Sequence, residues 1–315
     1  MKNIFFILPI VLISCFLYSC SKLTHKITID VLHTHKLEDC ENMLDFTSLG
    51  NNKILINNKD APFFSVFFYN KNKFYLETRF GNQGAGPNEF QYITSIFFDN
   101  KNISIIDWVN NRISHYQYKD NEFIYCGIQE RKNIISMNKY MEDVLFQNYT
   151  YSTDILLFSN KKTILNKRKI NTDPSLNLFA NYLKIRTDEN FLYVFFPNIG
   201  DFFVFDNNYK VIKKIDISKV FKIKDFELKK INNRIVENRI FSDFFLYKNF
   251  ILFYKIVSKN ANEYTEIHPL NWRDVKIFDT IVMENKIIYI DKYNDKYLAL
   301  EDDNILILDI NLTNE

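Results

Sequence analysis

Glycine is scarce in this 315-residue chain, with six residues, and proline is equally rare at six. The few glycines form no G-x-x-x-x-G-K-[ST] phosphate loop and no G-x-G-x-x-G opening a helix, so the nucleotide-binding classes drop out. G-x-S-x-G is missing too, and with it the usual nucleophile elbow. Charge of one sign is lacking: 40 Lys and Arg stand against 38 Asp and Glu. No basic excess points to nucleic acid, and none is expected as a partner. Cysteine is limited to Cys15, Cys20, Cys40 and Cys126. Cys40 and Cys126 could pair in an oxidising compartment or be two buried thiols, but two isolated cysteines make no disulfide framework. Beyond the N-terminal segment no apolar run reaches the length of a spanning helix.

That N-terminal segment, MKNIFFILPIVLISCFLYSC, has one lysine, an apolar stretch, then small residues and cysteine. Ile4 to Tyr18 is about 15 residues, short of the roughly 20 that cross a bilayer, so it reads as a secretion signal. Leu17, Ser19 and Cys20 fit a lipobox, although Tyr18 is bulky for its place. Leu12-Ile13-Ser14-Cys15 also fits, but cleavage there would leave Phe16-Leu17-Tyr18 at the mature start. Cys20 is therefore the expected lipidation site, with an ordinary cleaved signal as the alternative. Its acyl chains would exceed the two lipid signals that stable anchoring requires. The expected organisation is a signal at 1–20, a tether able to supply a ring-closing strand at 21–43, and one folded unit at 44–315. Either face of an outer membrane remains open.

What the chain has in abundance is aromatic side chains, 31 Phe and 19 Tyr. Phe, Tyr and Ile suit pleated, half-buried surfaces. Offset by about 49 residues, the chain repeats itself. Lys53–Ile56 falls on Asn102–Ile105, Phe64–Tyr69 on Ile113–Tyr118, and Phe74–Leu76 on Phe123–Tyr125. Fainter copies follow at Val144–Leu165, Phe191–Ile215, Phe244–Phe278 and Lys286–Ile310. Short strands with polar turns at this period indicate an all-β fold, a β-propeller of four-stranded antiparallel blades. About 295 residues after the signal give six blades, with five or seven also compatible. Ile27–Leu32 could close the ring beside Ile305–Ile310. Lys222–Arg239 breaks the pattern. Leu228, Ile231 and Ile235 at helix-like spacing, with Asp225 as a cap, predict a short amphipathic helix or an ordered excursion between blades, within an insertion near 218–240. It is either a solvated rim or a basic flap over the channel.

The clearest stretch is Arg79–Tyr118, RFGNQGAGPNEFQYITSIFFDNKNISIIDWVNNRISHYQY. Gly81, Gly84 and Gly86 suit positive φ or close backbone approach. Pro87 fixes φ and ends pairing. Glu89 completes the turn pattern, Phe90 is placed to plug a gap between blades, and Asp107 and Asn111 can bond turn amides. Arg112 is expected to pair with Asp107 or with an acidic group of the next blade. These residues resemble the NHL-type and TolB-like six-bladed propeller lipoproteins of Bacteroidota, in which a G-x-x-G-x-G-P-x-E-F turn leads into D-x-x-x-N-R-I. The correspondence is strong over Arg79–Tyr118, fair over Asn51–Leu76 and diffuse elsewhere. What the resemblance implies is a propeller displayed in the cell envelope for binding or scaffolding.

Candidate chemistry is sparse. His33 and His35 alternate on a strand and so share a face, near Glu38, Asp39 and Cys40, but a zinc site wants four ligands. A hydrolase or lactonase would need oxygen ligands converging on the axis around a divalent metal, for which Asp107, Asp201, Glu301 and Asp302 can be nominated. The expected function is a monomeric, membrane-tethered binding or scaffold module for a protein, peptide or glycan, with no catalytic residue and no cofactor. The alternative is the metal-dependent channel hydrolase.

Overall fold

The computed structural model describes residues 25–37, 40, 42–120, 122–148, 155–159, 162–167, 169, 173–223, 227–231, 234–259 and 261–314. The signal segment with Cys20, and also Glu38, Asp39 and Asp225, lie outside the described residues. Six antiparallel sheets follow one another along the chain as the blades of a six-bladed β-propeller. Blade 1 comprises Met43–Gly50, Lys53–Asn58, Phe64–Asn70 and Lys73–Phe80. Blade 2 comprises Ile93–Asp99, Asn102–Asp107, Arg112–Lys119 and Glu122–Glu130. Blade 3 begins at Ile134, blade 4 at Lys184, blade 5 at Asp243 and blade 6 at Tyr289. The fourth strand of blade 6 comes from the other end of the chain: His25–Lys36 pairs antiparallel with Asn304–Asn314, with Ile29 opposite Ile310. This closes the ring and leaves no long open edge between the first and last blades.

Each pair of neighbouring blades shares its own apolar cluster, because one four-stranded sheet cannot cover both of its faces alone. Between blades 1 and 2 these are Leu55, Phe64, Val66, Phe90, Ile103 and Tyr116. Between blades 4 and 5, Phe195, Phe202, Phe244 and Phe253 meet with ring centroids 5.1–6.4 Å apart. Edge-on and tilted aromatic pairs at such spacings add to area burial. The interface between blades 2 and 3 is leaner, built on Ile106, Ile113, Ile134, Met137 and Phe146. The first strand of every blade touches the first strands of both neighbours, so these six strands ring the axis.

One expected element is corrected. The described residues of Lys222–Arg239 hold no helix: Glu227–Ile231 and Arg234–Asn238 pair as antiparallel strands, with Ile231 opposite Arg234. Ile231, Ile235 and Val236 are β-branched, which favours strands over helix. A short solvated helix would also have been marginal by itself. The strand pair is preceded by a one-turn helix, Ile217–Val220, capped by the Asp216 carboxylate, which accepts the Lys219 N–H. The cysteines are also corrected: Cys40 is buried and Cys126 exposed, and no disulfide joins them. No helix among the described residues is long and apolar enough to cross a membrane.

Candidate functional site at the channel mouth

The links between blades and the turns between second and third strands lie on one face, because each first strand starts where the preceding fourth strand ends. On that face the glycine-rich link, residues 81–92, is locked to the Asp107–Arg112 turn. Asp107 is fully buried. Its carboxylate accepts the N–H groups of Gln91 at 3.0 Å, Tyr92 at 3.2 Å and Asn110 at 3.3 Å, and the Asn110 side-chain amide at 2.6 Å. Arg112 is buried too, and donates to the carbonyls of Ala85 at 2.7 Å, Gly86 at 3.1 Å and Glu89. Its guanidinium is 3.7 Å from Asp107. The arginine therefore serves the loop's carbonyls first and the aspartate second, and no acidic group of blade 3 takes part.

The other predicted residues fall into the same unit. Gly81 and Gly84 have φ of +88° and +154°. A Cβ at Gly84 would land on the Glu89 carboxylate, which itself accepts the Gly86 N–H at 2.8 Å. Phe90 has no exposed surface and packs edge-on against Phe63 and Phe64 of blade 1. Asn111 takes φ +51° in the turn, a conformation asparagine tolerates. Pro87 lies in the loop between Gly86 and Glu89.

This lock sets the position of two aromatic rings that sequence reasoning did not single out. Tyr92 carries one of the Asp107-bound amides, and the Trp108 N–H donates to the Tyr92 carbonyl at 2.9 Å. The rings sit 6.3 Å apart, edge to face, and are 56% and 39% exposed. Both line the rim of an axial channel of about 480 Å³, within the usual range for small-ligand sites. Phe179 and Tyr182, from the helix Pro174–Ala180 and the residues after it, line the channel as well, as does Arg239. The Glu227–Ile231 strand touches that helix, so the strand pair lies beside this mouth.

Below the rim the first strands supply the charges. Lys184 and Arg186 of blade 4 both reach Asp243 Oδ2 of blade 5, at 3.2 Å each. Arg186 lies 5.8 Å from the Phe244 ring and 5.4 Å from Tyr289, as a cation–π pair would. Burial alone would lower the pKa values of Lys184 and Arg186, but Asp243 carries both upward. Burial would raise Asp243, and the two cations bring it below the usual carboxylate value. Across the axis, Asp45 of blade 1 has no cation in direct contact among the described residues. Burial lifts it to about 6, against a hydrogen bond from Asn57 and the more distant Lys184 and Arg186. Its side chain lines the channel, so it is deep but wet. Asp291 of blade 6 accepts the Tyr289 hydroxyl at 3.1 Å and adds to the negative side.

The four carboxylates nominated for a channel metal have separate partners. Asp107 caps its turn, Asp201 pairs with Lys214 at 3.2 Å, and Glu301 accepts the Asn285 amide at 3.0 Å. Asp302 stands on the blade 6 turn, 4.0 Å from Lys286. His33 and His35 share a face of the outer strand of blade 6, with ring centroids 5.9 Å apart. His35 packs against Phe74 at 5.5 Å, and burial lowers its pKa. Among the described residues no group of three or more His, Cys, Asp or Glu is placed to hold a metal.

Fold and site together define a six-bladed β-propeller with an aromatic-rimmed, charge-lined axial pocket. No protein-family model and no curated protein matches the chain. Solved structures do share its fold. An exported protein of Bacteroides fragilis is 14% identical with a TM-score of 0.55, over 92% of this chain and 95% of that one. A member of the DUF4221 family from Bacteroides vulgatus is 10% identical with a TM-score of 0.59, over 92% and 99%. Virginiamycin B lyase from Staphylococcus aureus, solved with quinupristin, is 11% identical with a TM-score of 0.51, over 90% and 99%. At these identities the likeness establishes the propeller alone.

Proposed function

We propose that this chain is a cell-envelope lipoprotein, tethered through Cys20, whose TolB-like propeller binds a ligand at the mouth of its axial channel. The observation that carries this reading is the pairing of two exposed aromatic rings, Tyr92 and Trp108, with a buried ionic cluster in the same cavity. A buried Asp107–Arg112 lock fixes the rings, as recognition surfaces require, while the blades supply rigidity. A Bacteroides fragilis protein of the same fold, described as exported, supports the envelope setting. The metal-dependent hydrolase reading draws less support, since the two carboxylates lining the channel, Asp45 and Asp243, share it with Lys184, Arg186 and Arg239, and no third acidic, His or Cys ligand joins them among the described residues. The test is a thermal-shift screen of glycans, peptides and small metabolites, repeated with Trp108→Ala. The expected result is at least one ligand whose stabilisation is lost in the variant. A screen in which every ligand acts equally on both proteins would refute the channel as the site.

A further inference from the structure

Three features of the channel narrow the ligand. First, Lys184 and Arg186 converge on a single oxygen of Asp243, so the contacting set holds two positive charges and one negative. Second, hydroxyl and amide groups stand among the apolar residues of the wall: Thr47, Ser95 and Asn138 line the cavity, half-buried, and none makes a side-chain hydrogen bond among the described residues. Third, the rim is aromatic, a surface on which a sugar ring or another flat apolar face can stack.

We infer that the channel takes an acidic sugar, with its carboxylate held by Lys184 and Arg186, its hydroxyls met by Thr47, Ser95 and Asn138, and its ring face against Tyr92 or Trp108. This rests on the channel being the binding site. Arg suits the role because its planar fork meets a carboxylate at two oxygens. Asp45, facing the same cations from blade 1 without touching them, competes with the incoming carboxylate. The charged and titratable groups around it are Lys184 and Arg186 on blade 4, Asp243 on blade 5, Tyr289 and Asp291 on blade 6, and Tyr92, Tyr182 and Arg239 on the links. Blades 2 and 3 contribute only neutral groups to the cavity. Asp45 takes up a proton near pH 6, whereas a sugar acid stays ionised there, so binding tightens as pH falls from about 7.5 to 5.5.

The test is calorimetric titration of the full chain with galacturonate, its dimer, neutral galactose, and a tripeptide with a free C-terminal carboxylate. Galacturonate should bind and galactose should be at least about tenfold weaker, the loss of one charge-assisted contact. Arg186→Gln should reproduce that loss, with Lys184→Gln as the second variant if the first fails to fold. Asp45→Asn should tighten binding at pH 7.5 and abolish the pH dependence. A tighter dimer would indicate a chain end as the source, equal affinity the free sugar. Equal binding of galactose would overturn the carboxylate clamp and leave the channel reading intact. Binding of the tripeptide without galacturonate would overturn the sugar. Binding of none would overturn the inference, while the Trp108→Ala screen judges the channel separately.

Discussion

Replacing Asp45 with asparagine should make the protein more stable at neutral pH and no more stable in acid. The carboxyl has a folded pKa of about 6 against 3.8 unfolded. Between those values the folded state keeps a proton that the unfolded state has lost, so this group's contribution to stability falls as pH rises through the window. Below it there is no cost, and above it the full cost is in place. About two pKa units correspond to roughly 3 kcal/mol at most. Asp45 is half-buried and lines the channel, which reduces the expected cost to about 1–3 kcal/mol. Asparagine keeps the shape and can still meet Asn57. For a domain of this size the gain is a rise in Tm of about 2–8 °C at pH 7.5, vanishing near pH 4. Thermal unfolding of both proteins across that range checks it. A loss of stability at pH 7.5 would refute the reasoning, because it would mean that Lys184 and Arg186 stabilise ionised Asp45 by more than burial costs.

The motif residues offer further tests. Arg112→Ala should cost about 3–5 kcal/mol, since it leaves Asp107 and three loop carbonyls without their cation; a loss under 1 kcal/mol in denaturant unfolding would mean the lock is dispensable. Gly84→Val should destabilise by about 1–3 kcal/mol through its positive φ and the displaced Glu89 carboxylate, and an unchanged Tm would show that the loop absorbs the side chain. Cys20→Ala should abolish palmitate labelling and release the protein from membranes; continued labelling would move the lipid site to Cys15 or elsewhere.

How much was legible follows from where each strand sits. The second and third strands, such as Lys53–Asn58 and Phe64–Asn70, are buried along most of their length and read as apolar runs. Those runs carried the repeat and hence the propeller. The first strands are half open to the axis and mix polar with apolar residues, as in Met43–Gly50 and Lys184–Thr187. They gave almost no signal, and they bear most of the site's charges. The Gly81–Arg112 motif was visible as a turn device, but that it holds Tyr92 against Trp108 was not. The Lys222–Arg239 insertion misled because its apolar spacing fits a helix as well as a hairpin, and strand pairing between its halves decided the matter.

By itself, then, the sequence determined the repeating unit, the aromatic filling between blades and the local chemistry of one turn, because burial and turn preferences act on neighbours along the chain. The tertiary structure alone decided that Asp45, Lys184, Arg186, Asp243 and Tyr289 share one cavity. They come from four blades, and only closure of the ring brings them to a common axis, where the loss of bulk water makes each charge answer to the others.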